Sequence, residues 1–564
     1  MNNYSIIGID FGTSTTVVKV KNYFDGMKGN ECQPLMIGNS TVVPTLIFEN
    51  DQRMYFGREA ESEYNNSDGK GTLYRNFKMD LLIPERQEKA KELVRAFMMY
   101  LYQQFSMQKA QLNLFDTVKT FISYPAKWTP DIIAFMKQSV IDAGFGTEAT
   151  VFGETEPTAA IYATFTNHEE ALKEHRLVSQ GIPLNVMMLD MGAGTSDVTI
   201  FRFMADRQNK FHIGLDGKII SHPAVDNAYL CGGREIDRLL SEYNYEYLKS
   251  IIPGGNVNEG LWNKISAEIK SWKESHLSPR LQNGLEATMP GQLMTVLNTF
   301  RAFLTGPIPQ YEDIDREKFQ ELTKEHWSQL HTLITDAIAK AAEVIPEIRG
   351  PEDIDLLIVT GGHSQWYCVK DMCLGRSVAG LAPINFRKII DDPERLIAEA
   401  RPQETVANGL VFRDLAFDIR HTSANNLWLQ LSLNDKTYSD VYQVLNLFDV
   451  LPTTRTVEWK QTIVADSFSL DDAKIICHCC YGADEATGVH TTKEAKATLN
   501  SLGDFLFKAV FSPFYIIDRL SGSDGSEKYT VTVNITVQIN EDGGARIGGI
   551  LNCNGNSTDF VMNL

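Results

Sequence analysis

Cysteine is scarce in this sequence, and long apolar runs are absent. The 8 cysteines among 564 residues are too few for a disulfide-stabilised scaffold. No segment approaches the roughly 18 uninterrupted apolar residues of a membrane-spanning helix. The first residues, Met1-Asn-Asn-Tyr-Ser, lack the basic and apolar regions of a secretory signal peptide. We therefore expect a reduced, cytoplasmic protein that does not enter a membrane.

Positive charge is in deficit as well. Lys and Arg number 53 against 72 Asp and Glu, which gives a formal net charge of −19. Nucleic acid and anionic membranes repel a chain this acidic, so we expect neither as a partner. The 43% hydrophobic and 22% charged residues are typical of folded domains and exclude a disordered, collagen-like or coiled-coil protein.

The first 413 residues alternate short apolar runs with stretches of helical periodicity. The clearest helical stripe runs from Ala90 to Phe105, and a second helix is predicted across Phe319–Ala342. Strands that alternate with helices predict an α/β architecture for residues 1–413. The apolar runs predict buried strands at Ser5–Asp10, Val186–Asp190, Thr199–Phe203 and Leu356–Thr360.

Beyond residue 426 the helical stripes give way to short alternating segments separated by turn residues. These segments predict an all-β domain over residues 427–564, joined to the first domain by a linker at 414–426. The run Cys477–Cys480 does not predict a zinc site, because neighbouring strand residues face opposite sides. The predicted strands are Leu427–Leu433, Lys474–Cys480, Tyr529–Ile539 and, as the last, Ala545–Leu551.

The most specific signal is a pair of similar turns, Asp10-Phe-Gly-Thr-Ser-Thr and Asp190-Met-Gly-Ala-Gly-Thr. Each follows a predicted strand and leads into another extended segment. Glycine lets the backbone approach an anion, and successive N–H groups can bind phosphate oxygens. Either turn alone is equally compatible with an ordinary hairpin, but the repetition favours a phosphate clamp, although no Walker A loop is present. The clamp residues are Gly12, Thr13, Ser14, Thr15, Gly192, Ala193, Gly194 and Thr195.

Asp10 and Asp190 end the strands that precede these turns. A carboxylate would repel phosphate but can hold a hydrated Mg²⁺ ion, which keeps several of its waters. We therefore predict that both aspartates organise Mg²⁺ through water. A third glycine turn, Gly361-Gly-His-Ser, follows the strand at Leu356–Thr360 and would let a base or ribose lie against the backbone. That third signal is weak by itself.

The order of these motifs resembles the actin-like ATPase superfamily and, in detail, the DnaK-type 70-kDa heat-shock chaperones. Fainter similarity to the β-sandwich client domain of that family continues through Ile475–Gly482, Leu502–Phe505 and Val533–Gly543. The helical lid of the family is not expected, because the sequence ends at Leu564 and the residues after Leu551 are rich in Asn and Gly. The motifs that carry the resemblance are Asp10-Phe-Gly-Thr, Glu156-Pro-Thr-Ala-Ala, Asp190-x-Gly-x-Gly-Thr, Gly361-Gly-x-Ser and Val406-Ala-Asn-Gly.

The resemblance implies a two-lobed ATPase domain followed by a β-sandwich, and a chaperone that hydrolyses Mg-ATP. Implied partners are extended apolar polypeptides, J-domain proteins and nucleotide-exchange factors. Phe468, Ile475 and Cys477 would line a peptide groove, although apolar strand residues are more often core. In the ATPase domain the resemblance assigns catalysis to Lys78, Glu156, Asp190 and Thr195. It implies that the nucleotide cleft is shaped by Gly232, Gly233, Gly361 and Gly362. It also implies that either Lys270 or Lys273 flanks the adenosine.

The sequence departs from the family pattern around the base. His363 and Gln365 stand where the family usually has a Ser and an Arg that packs on adenine, and Gln403 replaces an acidic residue. We expect phosphate chemistry to be retained and adenine recognition to be altered. Three alternatives use the same clamp: an actin-like filament protein, a sugar or acetate kinase, and a scaffold that binds nucleotide without hydrolysing it.

Overall fold

The structure is a computed structural model that combines helices with several sheets, which confirms a mixed α/β protein. The residues that it describes are 3–25, 31–51, 53–67, 70–125, 128, 130–174, 184–194, 196–205, 211–213, 220–223, 232–301, 309–344, 347–415, 417–419, 426–433, 436–446, 449, 451–464, 474–482, 505–510, 520–521, 527–540, 545–553 and 556–563.

The chain divides into two compact units. The first contains Met1–Pro125 and Met136–Asp418, and the second contains Ala126–Phe135 and Ile419–Leu564. The later division, between Asp418 and Ile419, falls inside the segment 414–426 that the sequence assigned to a linker.

Sixteen strands precede residue 420 among the described residues. They are β1 (Tyr4–Phe11), β2 (Thr15–Tyr23), β3 (Gln33–Pro34), β4 (Val42–Pro44), β5 (Ile47–Asn50), β6 (Arg53–Phe56), β7 (Thr72–Tyr74), β8 (Val118–Tyr124), β9 (Val151–Thr155), β10 (Leu184–Met191), β11 (Ser196–Ala205), β12 (Phe211–Ile213), β13 (Ile220–Pro223), β14 (Leu356–Thr360), β15 (Leu396–Ala398) and β16 (Phe417–Ile419).

Two of the sheets in the first unit share one topology. The first has the strand order β3-β2-β1-β8-β9. Written in the same direction, the second has the order β16-β12-β11-β10-β14-β15. In each, a central strand pairs antiparallel with the next strand of the chain and parallel with a later one, as β1 does with β2 and β8, and β10 with β11 and β14. The predicted repetition of a strand, an Asp-x-Gly turn and a second strand is therefore confirmed at both places.

Fourteen α-helices lie among the described residues. They are α1 (Gly57–Asn66), α2 (Phe77–Asp80), α3 (Gln87–Gln108), α4 (Pro130–Ala143), α5 (Glu156–Glu174), α6 (Gly233–Ile251), α7 (Glu259–Trp272), α8 (Ser278–Gln282), α9 (Gly291–Arg301), α10 (Arg316–Leu322), α11 (Lys324–Val344), α12 (Tyr367–Cys373), α13 (Arg387–Asp391) and α14 (Thr405–Phe412). A π-helical turn, Lys273–Leu277, joins α7 to α8.

The apolar stripe predicted for Ala90–Phe105 is confirmed, since seven residues of α3 along that stripe are buried. The prediction of a single helix across Phe319–Ala342 is wrong, because the helix is interrupted at Thr323, between α10 and α11. The Thr323 hydroxyl donates to the Phe319 carbonyl oxygen at 2.5 Å and accepts the Trp327 indole N–H at 2.8 Å. A threonine side chain that bonds the backbone in this way competes with the regular helical pattern.

Packing of three aromatic rings fixes the helix that carries Lys78. The rings of Phe11, Phe77 and Phe97 are fully buried, with centroids 5.8–6.0 Å apart. Each such pair contributes about 0.5–1.5 kcal/mol beyond its buried area. Because Phe77 precedes Lys78 and Phe11 follows Asp10, the cluster sets the position of the lysine relative to the first aspartate.

Strands dominate the second unit. They form a sheet of order β18-β17-β20-β21 and one of order β19-β23-β24-β25, in which β22 pairs with β23. The strands are β17 (Asn426–Leu433), β18 (Lys436–Leu445), β19 (Thr453–Val464), β20 (Lys474–Gly482), β21 (Phe505–Val510), β22 (Leu520–Ser521), β23 (Glu527–Ile539), β24 (Ala545–Cys553) and β25 (Asn556–Asn563).

The prediction that the last strand lies at Ala545–Leu551 is wrong, because β25 follows it and pairs antiparallel with β24. The residues of β25 include Asn and Asp, which have low β-propensity, so local preference does not reveal the strand. Pairing with the neighbouring strand supplies what the local sequence lacks.

Candidate functional site

The first glycine turn connects β1 to β2 and is held by hydrogen bonds from two later segments. Ser123 donates to Asp10 Oδ1 at 2.8 Å, and the Thr45 hydroxyl donates to the Gly12 carbonyl oxygen at 2.9 Å. A Cβ atom on Gly12 would lie 2.4 Å from the Thr15 carbonyl oxygen, so only glycine fits the turn. The Ser14 hydroxyl is buried and has no hydrogen-bond partner among the described residues, which leaves a donor open for a ligand.

The second turn lies directly against the first. A Cβ atom on Gly194 would lie 3.2 Å from Thr13 Cγ2, so the two turns meet at that point. Thr195 lies outside the described residues. The geometry thus places the turn of one sheet beside the equivalent turn of the other.

The glycine pairs Gly232–Gly233 and Gly361–Gly362 both pack against the second turn. The Gly233 N–H donates to the Gly192 carbonyl oxygen at 3.2 Å, and the Arg234 N–H donates to the Ala193 carbonyl oxygen at 2.9 Å. Gly361 has φ +80°, and a Cβ atom there would lie 2.2 Å from the Met191 carbonyl oxygen. The glycine segments that the sequence singled out therefore come together around one turn.

Lys78 and Glu156 form an ion pair beside the turns, with Nζ 2.5 Å from Oε1. The lysine side chain is only 2% exposed. The contact joins α2 to the first residue of α5. The structure thus brings together two residues that only the family resemblance had linked to catalysis.

Negative charge accumulates around this ion pair. Burial and, to a smaller extent, the charge of Glu156 together raise the pKa of Asp10 to about 7, against the opposing effects of Lys78 and the hydrogen bond from Ser123. Burial also raises the pKa of Asp190 well above its usual range, followed by the charges of Glu156, Asp197 and Asp10. Both aspartates retain some exposure to solvent. Three other carboxylates thus act on Asp190 against the single opposing charge of Lys78, an arrangement that a bound cation would stabilise.

The carboxylates fit a cation that is held through water. Among the described residues, no group of three or more His, Cys, Asp or Glu side chains is placed to bind a metal directly. Mg²⁺ keeps several waters and needs few protein ligands, so Asp10 and Asp190 suit it better than a metal that requires a closed protein site.

The two lysines that the sequence left as alternatives occupy different environments. Lys273 is buried in the π-helical turn, with Nζ 2.6 Å from Asp237 Oδ1 and 3.4 Å from the Gly233 carbonyl oxygen. Lys270 is exposed on α7. Only Lys273 therefore contacts a glycine of the cleft in the described structure. Single-turn π-helical segments occur frequently at functional sites.

The two residues predicted to lie near the base, His363 and Gln365, also differ in their exposure to solvent. Gln365 is exposed, and its backbone carbonyl oxygen accepts a hydrogen bond of 2.6 Å from Gln282 Nε2. His363 is buried, and Gln403 lies close to Gly362, since a Cβ atom on that glycine would be 2.9 Å from Gln403 Nε2.

The predicted peptide groove is described only in part. Phe468 lies outside the described residues. Ile475 and Cys477 lie on β20, between β17 and β21, and the backbone pairs Ile475 with Leu433 and Cys477 with Leu431.

Three residues of the site escaped sequence reasoning. Asp197 lies opposite Asp190 in the ladder between β10 and β11, and its signal was an aspartate two residues after the second turn motif. Ser123 is the last residue but one of β8, and its hydroxyl is buried beside Asp10. Thr45 carries no local signal, because its contact with Gly12 joins residues 33 positions apart.

No protein-family model matches the sequence. Among the described residues, none of the helices has both the length and the apolar character that crossing a membrane requires.

Proposed function

We propose that the protein is a Mg-dependent ATPase with an actin-like, two-lobed domain at residues 1–413. The observation that carries this proposal is the meeting of the two Asp-x-Gly turns beside the Lys78–Glu156 ion pair. Backbone N–H groups of two turns can bind the phosphates of one nucleotide from both sides. An ordinary hairpin requires neither the second turn nor the buried lysine.

Each residue of the site has a role in this reaction. Asp10 and Asp190 would hold Mg²⁺ through water, and the ion would supply positive charge beside the phosphates. Thr13, Ser14 and Thr195 donate to phosphate oxygens, and Glu156 orients the water that attacks the terminal phosphorus. Lys78 stabilises the charge on the transferred group. Phosphoryl transfer depends almost entirely on such positioning and charge stabilisation.

We further propose that residues 427–564 form a β-sandwich that binds extended apolar polypeptide, as in a 70-kDa heat-shock chaperone. The strands of the second unit and the position of Ile475 and Cys477 on one face of β20 support this proposal. J-domain proteins and nucleotide-exchange factors are the partners that such a chaperone would use.

Replacing Asp190 by asparagine is expected to lower ATP hydrolysis by at least about 10²-fold, the effect of losing one electrostatic stabiliser. Phosphate release is measured with Mg²⁺, with and without an unfolded apolar polypeptide, which should increase the wild-type rate. The matched control is Asp391→Asn, which changes an exposed aspartate paired with Arg387. Equal rates in wild type and Asp190→Asn would contradict the clamp, and nucleotide binding without turnover in wild type would indicate a scaffold.

Mg²⁺ is expected to raise the melting temperature more at pH 8 than at pH 6. Because the pKa of Asp10 rises from about 4 in the unfolded chain to about 7 in the fold, its contribution to stability is present in acid and is lost as the pH rises through 7. Mg²⁺ competes with that proton and binds the ionised form. Thermal unfolding at both pH values tests this, with Asp10→Asn expected to lose the part of the pH dependence that Asp10 contributes. An identical Mg²⁺ response in that variant would exclude Asp10 from the metal site.

A further inference from the structure

Two buried histidines contact each other behind the glycine turns. His326 on α11 and His363, just after β14, have their Nε2 atoms 2.7 Å apart and their rings nearly perpendicular. His363 Nδ1 is buried and has no hydrogen-bond partner among the described residues. An N–H···N bond between imidazoles requires a proton on one Nε2 atom and a free lone pair on the other.

The ring of His363 touches two of the glycine segments. It directly follows Gly361 and Gly362, and a Cβ atom on Gly233 would lie 3.3 Å from its Nδ1 atom and 3.7 Å from the Ala193 Cα atom. The imidazole therefore occupies the space between Gly232–Gly233 and Gly361–Gly362, next to the second phosphate turn. A change in its position would move the backbone on both sides of the cleft.

A second proton on the histidine pair is unfavourable at either ring nitrogen of His363. On Nε2 it would break the bond to His326, and on Nδ1 it would bury a charged donor without an acceptor. The other titratable groups around this ring are His326 on α11, Lys273 in the π-helical turn and, through its ion pair with Lys273, Asp237 on α6. Burial, His326 and Lys273 together hold the pKa of His363 well below its usual range.

We propose that His363 is a positioning residue of the nucleotide cleft, whose neutral ring, held by His326, sets the separation of the two glycine segments. Loss of that ring, or of its contact with His326, lowers the affinity for nucleoside diphosphates and triphosphates. This inference rests on the proposed nucleotide site and adds to it a residue that positions the two glycine segments.

The test is calorimetric titration with Mg-ADP at pH 7.5, where the ring of His363 is neutral. His363→Ala removes the ring and its bond to His326, and we expect the affinity to fall by at least about tenfold. His363→Gln keeps a side chain that can form a hydrogen bond with His326, so it should restore most of the affinity. His331→Gln is the matched control, because His331 lies on α11 with His326 and its Nε2 atom contacts the Ala382 carbonyl oxygen.

Equal affinities for Mg-ADP in wild type and His363→Ala overturn this inference while leaving the nucleotide site intact. An equal loss in His363→Ala and His363→Gln overturns the role of the bond to His326. No Mg-ADP binding by folded wild type overturns both proposals. If His363→Ala does not fold, His363→Leu fills the same space without a bond to His326 and should show the same loss of affinity.

Discussion

Replacing Lys78 by alanine is expected to reduce ATP hydrolysis by at least about 10³-fold while Mg-nucleotide still binds. Lys78 is nearly inaccessible to solvent and pairs with Glu156, and it opposes the rise in pKa of Asp10 and Asp190. A buried cation acts most strongly on the charge that develops during transfer, so its loss affects turnover more than ground-state binding.

Single-turnover hydrolysis and the Kd for Mg-ADP, measured on the same preparation, check this prediction. Lys249→Ala is the matched control, because Lys249 is half-exposed and pairs with Glu246 at the end of α6. Removal of Lys78 alone leaves Glu156 without its partner, which can destabilise the fold. The double variant Lys78→Met with Glu156→Gln removes both charges together and should fold but remain inactive. Turnover at the wild-type rate in either variant would show that the ion pair is only structural.

The parts of the fold that the sequence predicts correctly depend on local patterns. The stripe on α3 repeats every three to four residues, and both Asp-x-Gly turns follow a continuous apolar run. Local signals also mislead where a tertiary contact decides the outcome. Thr323 ends one helix through its own side-chain hydrogen bonds, and β25 forms because β24 lies beside it.

The candidate site was predictable only as a set of residue types. The resemblance suggested roles for Lys78 and Glu156, but their contact joins positions 78 residues apart, and no periodicity encodes it. The same holds for His326 and His363, which lie 37 residues apart and meet through the packing of α11 against the turn after β14. Residues that support the site from other strands, such as Ser123, become visible only when the sheet is assembled.

Replacing Gly409 by alanine is expected to destabilise the first unit by about 3 kcal/mol or more. A Cβ atom at Gly409 on α14 would lie 1.6 Å from the Ala159 carbonyl oxygen on α5. The obstructing atom belongs to the backbone, so no side-chain rotation relieves the overlap and the helices must separate. Overpacking in a core typically costs about 1–3 kcal/mol, and a forced backbone shift raises that value.

The other side of α14 offers no room for the helix to retreat. A Cβ atom on Gly8 of β1 would lie 2.8 Å from Leu410 Cβ, so the helix already lies close to the first sheet. Separation of the two helices would therefore displace α5, whose first residue is Glu156. Because a misplacement of about 1 Å can reduce a rate by about 10²-fold, any folded fraction of Gly409→Ala should also lose ATPase activity.

Denaturant unfolding of Gly409→Ala and Gly254→Ala separates this effect from the ordinary cost of replacing glycine. Gly254 has φ +78° with no atom within 4 Å of an added Cβ, so its substitution introduces backbone strain without overlap. That strain costs about 1 kcal/mol, with little expected effect on turnover. Gly409→Ala should therefore unfold at a clearly lower denaturant concentration, or accumulate as insoluble protein, whereas Gly254→Ala should stay soluble and active. Equal unfolding midpoints in the two variants would show that α5 and α14 can separate freely, and that their crossing does not position Glu156.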